Sequence, residues 1–290
     1  MQRVRTGLAA LLLAGCAAGS GTAAAQVRVV TLGGSVTEIV YALGQGDRLV
    51  GDDLSSLYPE AATQLPRVGY YRAVPVEGVL ALKPDLVLAS EQAGPPDAIR
   101  RLGEVGVRVR TVSDQPTVQS LHRRITEIAQ ALGAADAGQR LAASVDQELR
   151  AVQALPASGA SALLIMNRTG TPLGAGADTA AALVLRLAGL RNVLDSQQGY
   201  KPLSAEAIGA LAPQVVVVTQ ASVAASGGLD KLRALPGLAG TPAAANDCFV
   251  VMDDLLALGT GPRLPQAVRQ LKETACVAGA RRTSAQAATH

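Results

Sequence analysis

The sequence predicts an α/β protein built as two similar lobes with a ligand cleft between them. Three observations carry that prediction. Buried strands alternate with helices through both halves of the chain, the pattern of a mostly parallel sheet. One template occurs twice, as Glu77-Gly-Val-Leu-Ala-Leu-Lys-Pro84-Asp-Leu-Val-Leu and Glu206-Ala-Ile-Gly-Ala-Leu-Ala-Pro213-Gln-Val-Val-Val. Each copy places a glutamate seven residues ahead of a proline, with a buried strand at once after it. Between the copies, Asp136 to Leu155 shows helical spacing and no strand signal. At ~1.5 Å per residue that helix would be ~30 Å long, the width of a small domain.

In chain order, Val27 to Leu32 reads as a buried strand, and Gly33-Gly34 turns it into a helix that Gly44 closes. Ser35 with Glu38 three residues on has the form of a capping box. Asp52 to Pro66 is irregular and proline-bounded. Glu77 to Leu82 is a short helix, Leu86 to Ala89 a buried strand, Pro95-Pro96 opens a helix through Leu102, and Val107 to Val112 is a strand. Thr117 to Leu132 is helical, with Leu121, Ile125, Ile128 and Leu132 on one face, and Gly133 interrupts it. After the long helix, Ala162 to Met166 is a strand and Gly174-Ala175-Gly176 leads into a helix over Thr179 to Ala188. Ser204 to Leu211 is a helix, Val215 to Val218 and Phe249 to Met252 are strands, and Pro262 begins a closing helix to about Cys276. The organisation expected is a signal peptide over 1–25, an N-terminal lobe over 27–134, a connecting helix over 135–156, a C-terminal lobe over 160–277 and an unstructured tail over 278–290.

Composition narrows the function classes. A net charge of +3 without a basic run gives no case for nucleic acid. Beyond the N-terminus no apolar run approaches the ~20 residues of a membrane span. That N-terminus reads as an export signal: Arg3 and Arg5, an apolar stretch from Gly7 to Ala18, then small residues at Ala23-Ala24-Ala25. Leu13-Ala14-Gly15-Cys16 also resembles a bacterial lipobox, which would lipidate Cys16, so a soluble and an anchored mature form both stand. Either form leaves the cytoplasm. Cys248 and Cys276 are open to two states, a disulfide or free thiols, and do not make a zinc site.

Five tyrosines, one phenylalanine and no tryptophan leave the chain poor in aromatics, yet Tyr70 and Tyr71 stand side by side before Arg72. Prolines flank the stretch, so its backbone is extended or turning. A phenol beside a guanidinium is suited to becoming a phenolate, a hard oxygen ligand for ferric iron. The same stretch also reads as a surface turn with two half-buried aromatics.

With the tyrosine pair, the repeated glutamates and the long helix in hand, the chain resembles the periplasmic haem-binding proteins of bacterial haem ABC importers, from the helical-backbone group of substrate-binding proteins. The most specific parts are Val68-Gly69-Tyr70 with Glu77-Gly78-Val79-Leu80, Gly174-Ala175-Gly176 with Asp178-Thr179-Ala180-Ala181, and Gln198-Gly199-Tyr200-Lys201-Pro202-Leu203-Ser204. The resemblance implies two Rossmann-like lobes joined by one long rigid helix, with ferric haem b held between them as cargo and no catalytic cofactor. It makes Tyr70 the axial iron ligand, with Tyr71 its neighbour and next candidate. Arg72 would steady the phenolate or meet a haem propionate, and Tyr200 would line the facing lobe. Glu77 and Glu206 would dock onto a membrane permease served by an ATPase, with an outer-membrane haem receptor upstream. Each glutamate by itself is also an ordinary carboxylate at a helix start. Where some relatives carry a histidine, this chain has Met166-Asn167-Arg168-Thr169; Arg168 suits a propionate but cannot ligate iron. His122, beside Arg123 and Arg124, is expected on a solvated face.

Two other readings compete. The same fold with a ferric siderophore or a corrinoid as cargo differs only in the ligand. An exported α/β enzyme is the other, and the motifs do not favour it. There is no Gly-x-Ser-x-Gly elbow, no His-Glu-x-x-His, no P-loop, and Gly174-x-Gly176 lacks the third glycine of a dinucleotide site.

Overall fold

The computed structural model describes residues 26–167 and 170–279. The signal peptide and lipobox, Arg168, and residues 280–290 of the tail lie outside the described residues.

The first lobe runs β1 (Val29–Leu32), α1 (Gly34–Ala42), β2 (Leu49–Asp52), α2 (Val76–Ala81), β3 (Leu86–Ser90), α3 (Pro96–Glu104) and β4 (Arg108–Val112). Its sheet is parallel throughout, in the order β2-β1-β3-β4. The central strands β1 and β3 are buried on both faces, as their unbroken apolar runs require. Successive side chains serve opposite layers: Val29 and Leu88 pack with Val36, Ile39 and Leu121, whereas Val30 and Val87 pack with Val79, Ala98 and Leu102.

Two helices then carry the chain across. α4 (Val118–Ala131) is capped by Thr117, whose hydroxyl accepts from the Ser120 amide, and Gly133 at φ 67° turns it into α5 (Ala135–Gln153). α5 is not a bare strut. A Cβ at its Gly138 would press on Ala129 of α4, and Val145, Leu149 and Val152 are buried.

The second lobe contains β5 (Ser161–Met166), β6 (Leu173–Ala175), α6 (Ala180–Leu187), β7 (Arg191–Asn192), β8 (Tyr200–Pro202), α7 (Ala205–Leu211) and β9 (Val215–Thr219). The short helices α8 (Gln220–Ala225), α9 (Leu229–Arg233) and α10 (Pro242–Ala245) lead to β10 (Phe249–Met252), α11 (Asp254–Leu258) and α12 (Leu264–Glu273). Its sheet order is β10-β9-β5-β6-β8, with β7 beside β5. Strands β10, β9, β5 and β7 are parallel, but β6 runs antiparallel to both of its neighbours, β5 and β8. This second sheet is therefore mixed, and its antiparallel flank carries Tyr200.

The repeat seen in the sequence has a backbone counterpart. Lys83 after α2 and Ala212 after α7 both adopt left-handed conformations, at φ 46° and 42°, directly before Pro84 and Pro213. A proline disfavours the right-handed helical region for the residue ahead of it, so both helices end the same way before the next strand starts.

Two local expectations are corrected. Ser35 and Glu38 form no capping box: the cap of α1 is Gly33 at φ 121°, with no side-chain cap. The tertiary partners of both residues win over the local pairing, as described below. His122, expected on a solvated face, is half-buried, and its Nε2 lies 3.0 Å from an Asp146 carboxylate oxygen on α5. The cysteine alternative is resolved as a disulfide between Cys248 and Cys276, which fastens the segment after α12 to the start of β10.

Candidate ligand-binding cleft

Backbone hydrogen bonds fix the tyrosine pair. The Val68 amide donates to the Asp52 carbonyl and the Leu54 amide to the Gly69 carbonyl, at 2.9 and 2.8 Å, so the segment runs beside the end of β2. Val68 is buried in the core. Gly69 at φ 94°, open only to a residue without a Cβ, then turns the chain outward. Tyr70 is left 45% exposed, while the Tyr71 ring packs on the core with its centroid 5.0 Å from that of Tyr70, nearly edge-on at 76°. The Gly94 amide donates to the Tyr71 carbonyl at 2.9 Å.

Arg72 sits with Tyr71 first. Its Nε donates to the Tyr71 hydroxyl at 3.0 Å, its guanidinium carbon lies 5.1 Å from the ring centroid, and an Nη donates to the Gln92 side-chain oxygen. Burial pushes the Tyr71 phenol up to about 12, and Arg72 pulls it back only in part. Tyr71 is thus a protonated, hydrogen-bonded phenol at neutral pH. Burial works against the Arg72 charge, but the Tyr71 phenol and then that of Tyr70 raise its pKa above the ordinary value.

Tyr200 comes from the other lobe, on β8, and is 36% exposed. Burial pushes its phenol up to about 12, Tyr71 adds to the rise, and Arg72 and a hydrogen bond with Thr179 oppose it. The two lobes therefore bring Tyr71, Arg72 and Tyr200 within electrostatic reach of one another.

These side chains line one cleft of about 940 Å³ between the lobes. The first lobe contributes Ser35, Leu54, Leu57, Tyr70, Tyr71 and Arg72, and the second Met166, Leu173, Thr179, Tyr200, Leu255 and Leu258. A cleft at the upper end of the usual ~300–1,000 Å³ range, apolar with a few polar groups, suits a large flat ligand. Glu77 and Glu206 are not in it. Both are exposed in the first turns of α2 and α7, and the Glu206 carboxyl is held below its ordinary pKa by its own amide and then the Ser204 hydroxyl.

Sequence reasoning missed what lies behind the cleft. Arg124, on α4, is 0% exposed. Its guanidinium donates to the Ser35 hydroxyl at 2.8 Å and the Thr260 carbonyl at 3.0 Å, and pairs with Asp114 at 2.9 Å. Burial lowers its pKa, and Asp114 opposes that. Beside it, Glu38 is also buried and pairs with Arg263 at 3.2 Å, while Arg263 stacks 3.5 Å over the Tyr58 ring. Leu54 and Leu57 were within reach of sequence analysis, as two apolar residues in a stretch without periodicity. The arginines were not, since neither spacing nor neighbours mark them.

Against known proteins, residues 29–256 match the family model described as periplasmic binding protein. The chain belongs to that family. Among solved structures of the fold, the periplasmic heme-binding protein RhuT from Roseiflexus sp. RS-1, in apo form, is 37% identical with a TM-score of 0.84, over 88% of this chain and 99% of that one. The periplasmic heme-binding protein BhuT in complex with two hemes is 42% identical with a TM-score of 0.81, over 88% and 98%. A vitamin B12-binding protein of Yersinia pestis (strain Pestoides F) is 30% identical over 199 residues, covering 68% of this chain and 71% of that one. Membership makes the chain a binding protein, which displaces the reading as an exported enzyme, and gives it the two-lobed fold with a helical backbone.

Proposed function

We propose that this chain captures ferric haem b outside the cytoplasm, in the periplasm, and delivers it to an ABC-transporter permease and its ATPase. The observation that carries the reading is Tyr70, a phenol turned out by Gly69 onto the wall of a large cleft beside Arg72, in a chain poor in aromatics. Tyr70 would ligate the iron. A ferric ion stabilises the phenolate form, and Arg72 would steady that charge or pair with a propionate. Arg168 would meet the other propionate. The apolar macrocycle would lie against Leu54, Leu57, Leu255 and Leu258, with Tyr200 closing the facing side. Glu77 and Glu206, exposed at corresponding helix starts, would meet the permease. An outer-membrane haem receptor would supply the cargo. The likeness to RhuT and BhuT supports haem over the other cargoes of the fold.

Titration with hemin should give a Soret band and a tyrosinate charge-transfer feature. Tyr70→Ala should remove that feature and weaken binding by more than about ten-fold, the lower end of what a metal's outer-shell partner costs. Tyr71→Phe should keep it. Retention in Tyr70→Ala would reject the ligand assignment. The relative that binds vitamin B12 keeps a corrinoid as the second reading, and displacement of bound hemin by cyanocobalamin at equal concentration would favour it.

A further inference from the structure

We propose that Asp53 is the positioning residue of the phenol wall, an assignment that rests on the reading of Tyr70 as ligand. Asp53 is 0% exposed and does not line the cleft. Its Oδ1 accepts from the Gly33 amide at 2.9 Å, the Ser55 hydroxyl at 2.9 Å and the Ser56 hydroxyl at 3.2 Å. Its Oδ2 accepts from the Ser55 amide at 2.9 Å and the Tyr71 amide at 3.2 Å. One carboxylate thus joins three chain segments that form the wall: the head of α1, the loop bearing Leu54 and Leu57, and the tyrosine pair.

The Tyr71 contact matters most. Its N–H lies in the same rigid peptide plane as the Tyr70 carbonyl, which accepts from the Ala73 amide at 2.8 Å. The Leu54–Gly69 hydrogen bond holds the peptide plane before the Tyr70 Cα, so holding both ends of the plane after it sets the direction in which the Tyr70 side chain leaves the backbone. The Leu54–Gly69 hydrogen bond stops short of this plane, so it cannot replace the carboxylate. A side chain with two acceptor oxygens suits the place because three amides and two hydroxyls converge on it. An asparagine amide nitrogen accepts nothing, and whichever way it turned, at least one amide or hydroxyl would face another donor.

Two experiments test the assignment. In the protein without ligand, hydrogen exchange should find the Tyr71 amide strongly protected although its segment is at the surface. Fast exchange would overturn the latch whatever the cargo is. With hemin, Asp53→Asn should retain the far-ultraviolet circular dichroism of the parent yet bind about ten-fold more weakly, the effect of one orphaned buried donor. Its tyrosinate charge-transfer feature should weaken and shift, whereas Asp53→Glu should restore part of it. A folded Asp53→Asn with the parent's spectrum and affinity would overturn the proposal. Absence of the feature in the parent itself would instead reject Tyr70 as ligand and leave the exchange result to decide the latch.

Discussion

Asp52 ends β2 with its carboxylate 0% exposed; Arg67 lies 3.1 Å away, but neither oxygen accepts a hydrogen bond in good geometry. Burial raises its pKa most, Arg67 pulls it back in part and Asp53 adds to the rise, from 3.8 to about 7. Between about pH 4 and about pH 7 the folded chain keeps a proton that the unfolded chain has released, so this group's contribution to stability falls as pH rises through that window. Asp52→Asn keeps the shape without the charge. Its stability should approach that of the parent near pH 4 and exceed it by as much as a few kcal/mol above pH 7. Melting temperatures of the two proteins across this range check the prediction, and a constant difference would sink it. The same residue scale explains why Tyr70 was legible while Asp53 was not. Paired tyrosines in an aromatic-poor chain stand out, whereas an aspartate in a proline-bounded loop looks like any turn residue until its five donors are in place.

Among elements, α12 has two fastenings that bear on stability. Its Lys272 ammonium donates to the Gln153 and Leu155 carbonyls at the end of α5, at 3.2 and 2.7 Å. The disulfide between Cys248 and Cys276 closes a loop of 28 residues around it. By the chain-entropy argument, losing that link should destabilise the protein by about 3–4 kcal/mol. Urea unfolding of a Cys248→Ser/Cys276→Ser variant measures it, with no change in midpoint as the contrary outcome. The long strands and helices were legible because burial on one or both faces writes a period into the sequence. Strands β6, β7 and β8 were not, for they are two or three residues long and too short to show one. The glycine-rich stretch 174–176 thus reads as a lead into a helix, although it overlaps a strand that positions Tyr200 through β8.

Across the whole molecule, one apolar cluster runs without a break from α1 and α4 through α5 to α6 and α12. Two polar ties cross with it, Arg124 to Thr260 and Glu38 to Arg263. Burial raises the Glu38 pKa and Arg263 opposes this, so removing the arginine would strand a buried carboxylate. Arg263→Ala should cost about 3–5 kcal/mol in chemical denaturation. With the lobes tied at the back, ligand loading should leave the small-angle scattering profile nearly unchanged. A marked compaction with hemin would show a hinge where we expect a clamp.

The sequence by itself determined the longer strands and helices and that two lobes share one design, and it put forward a tyrosine pair beside an arginine as a candidate site. Each of these is local, written by burial period, turn residues or composition. Only the tertiary structure decided that Tyr200 faces Tyr71, that Arg124 lies behind Ser35, 89 residues away in sequence, and that Glu38 answers Arg263 across 225 residues rather than its neighbour Ser35. Such pairings depend on how the packed lobes meet. A buried charge takes the partner that packing brings to it, and no local period records which one that is.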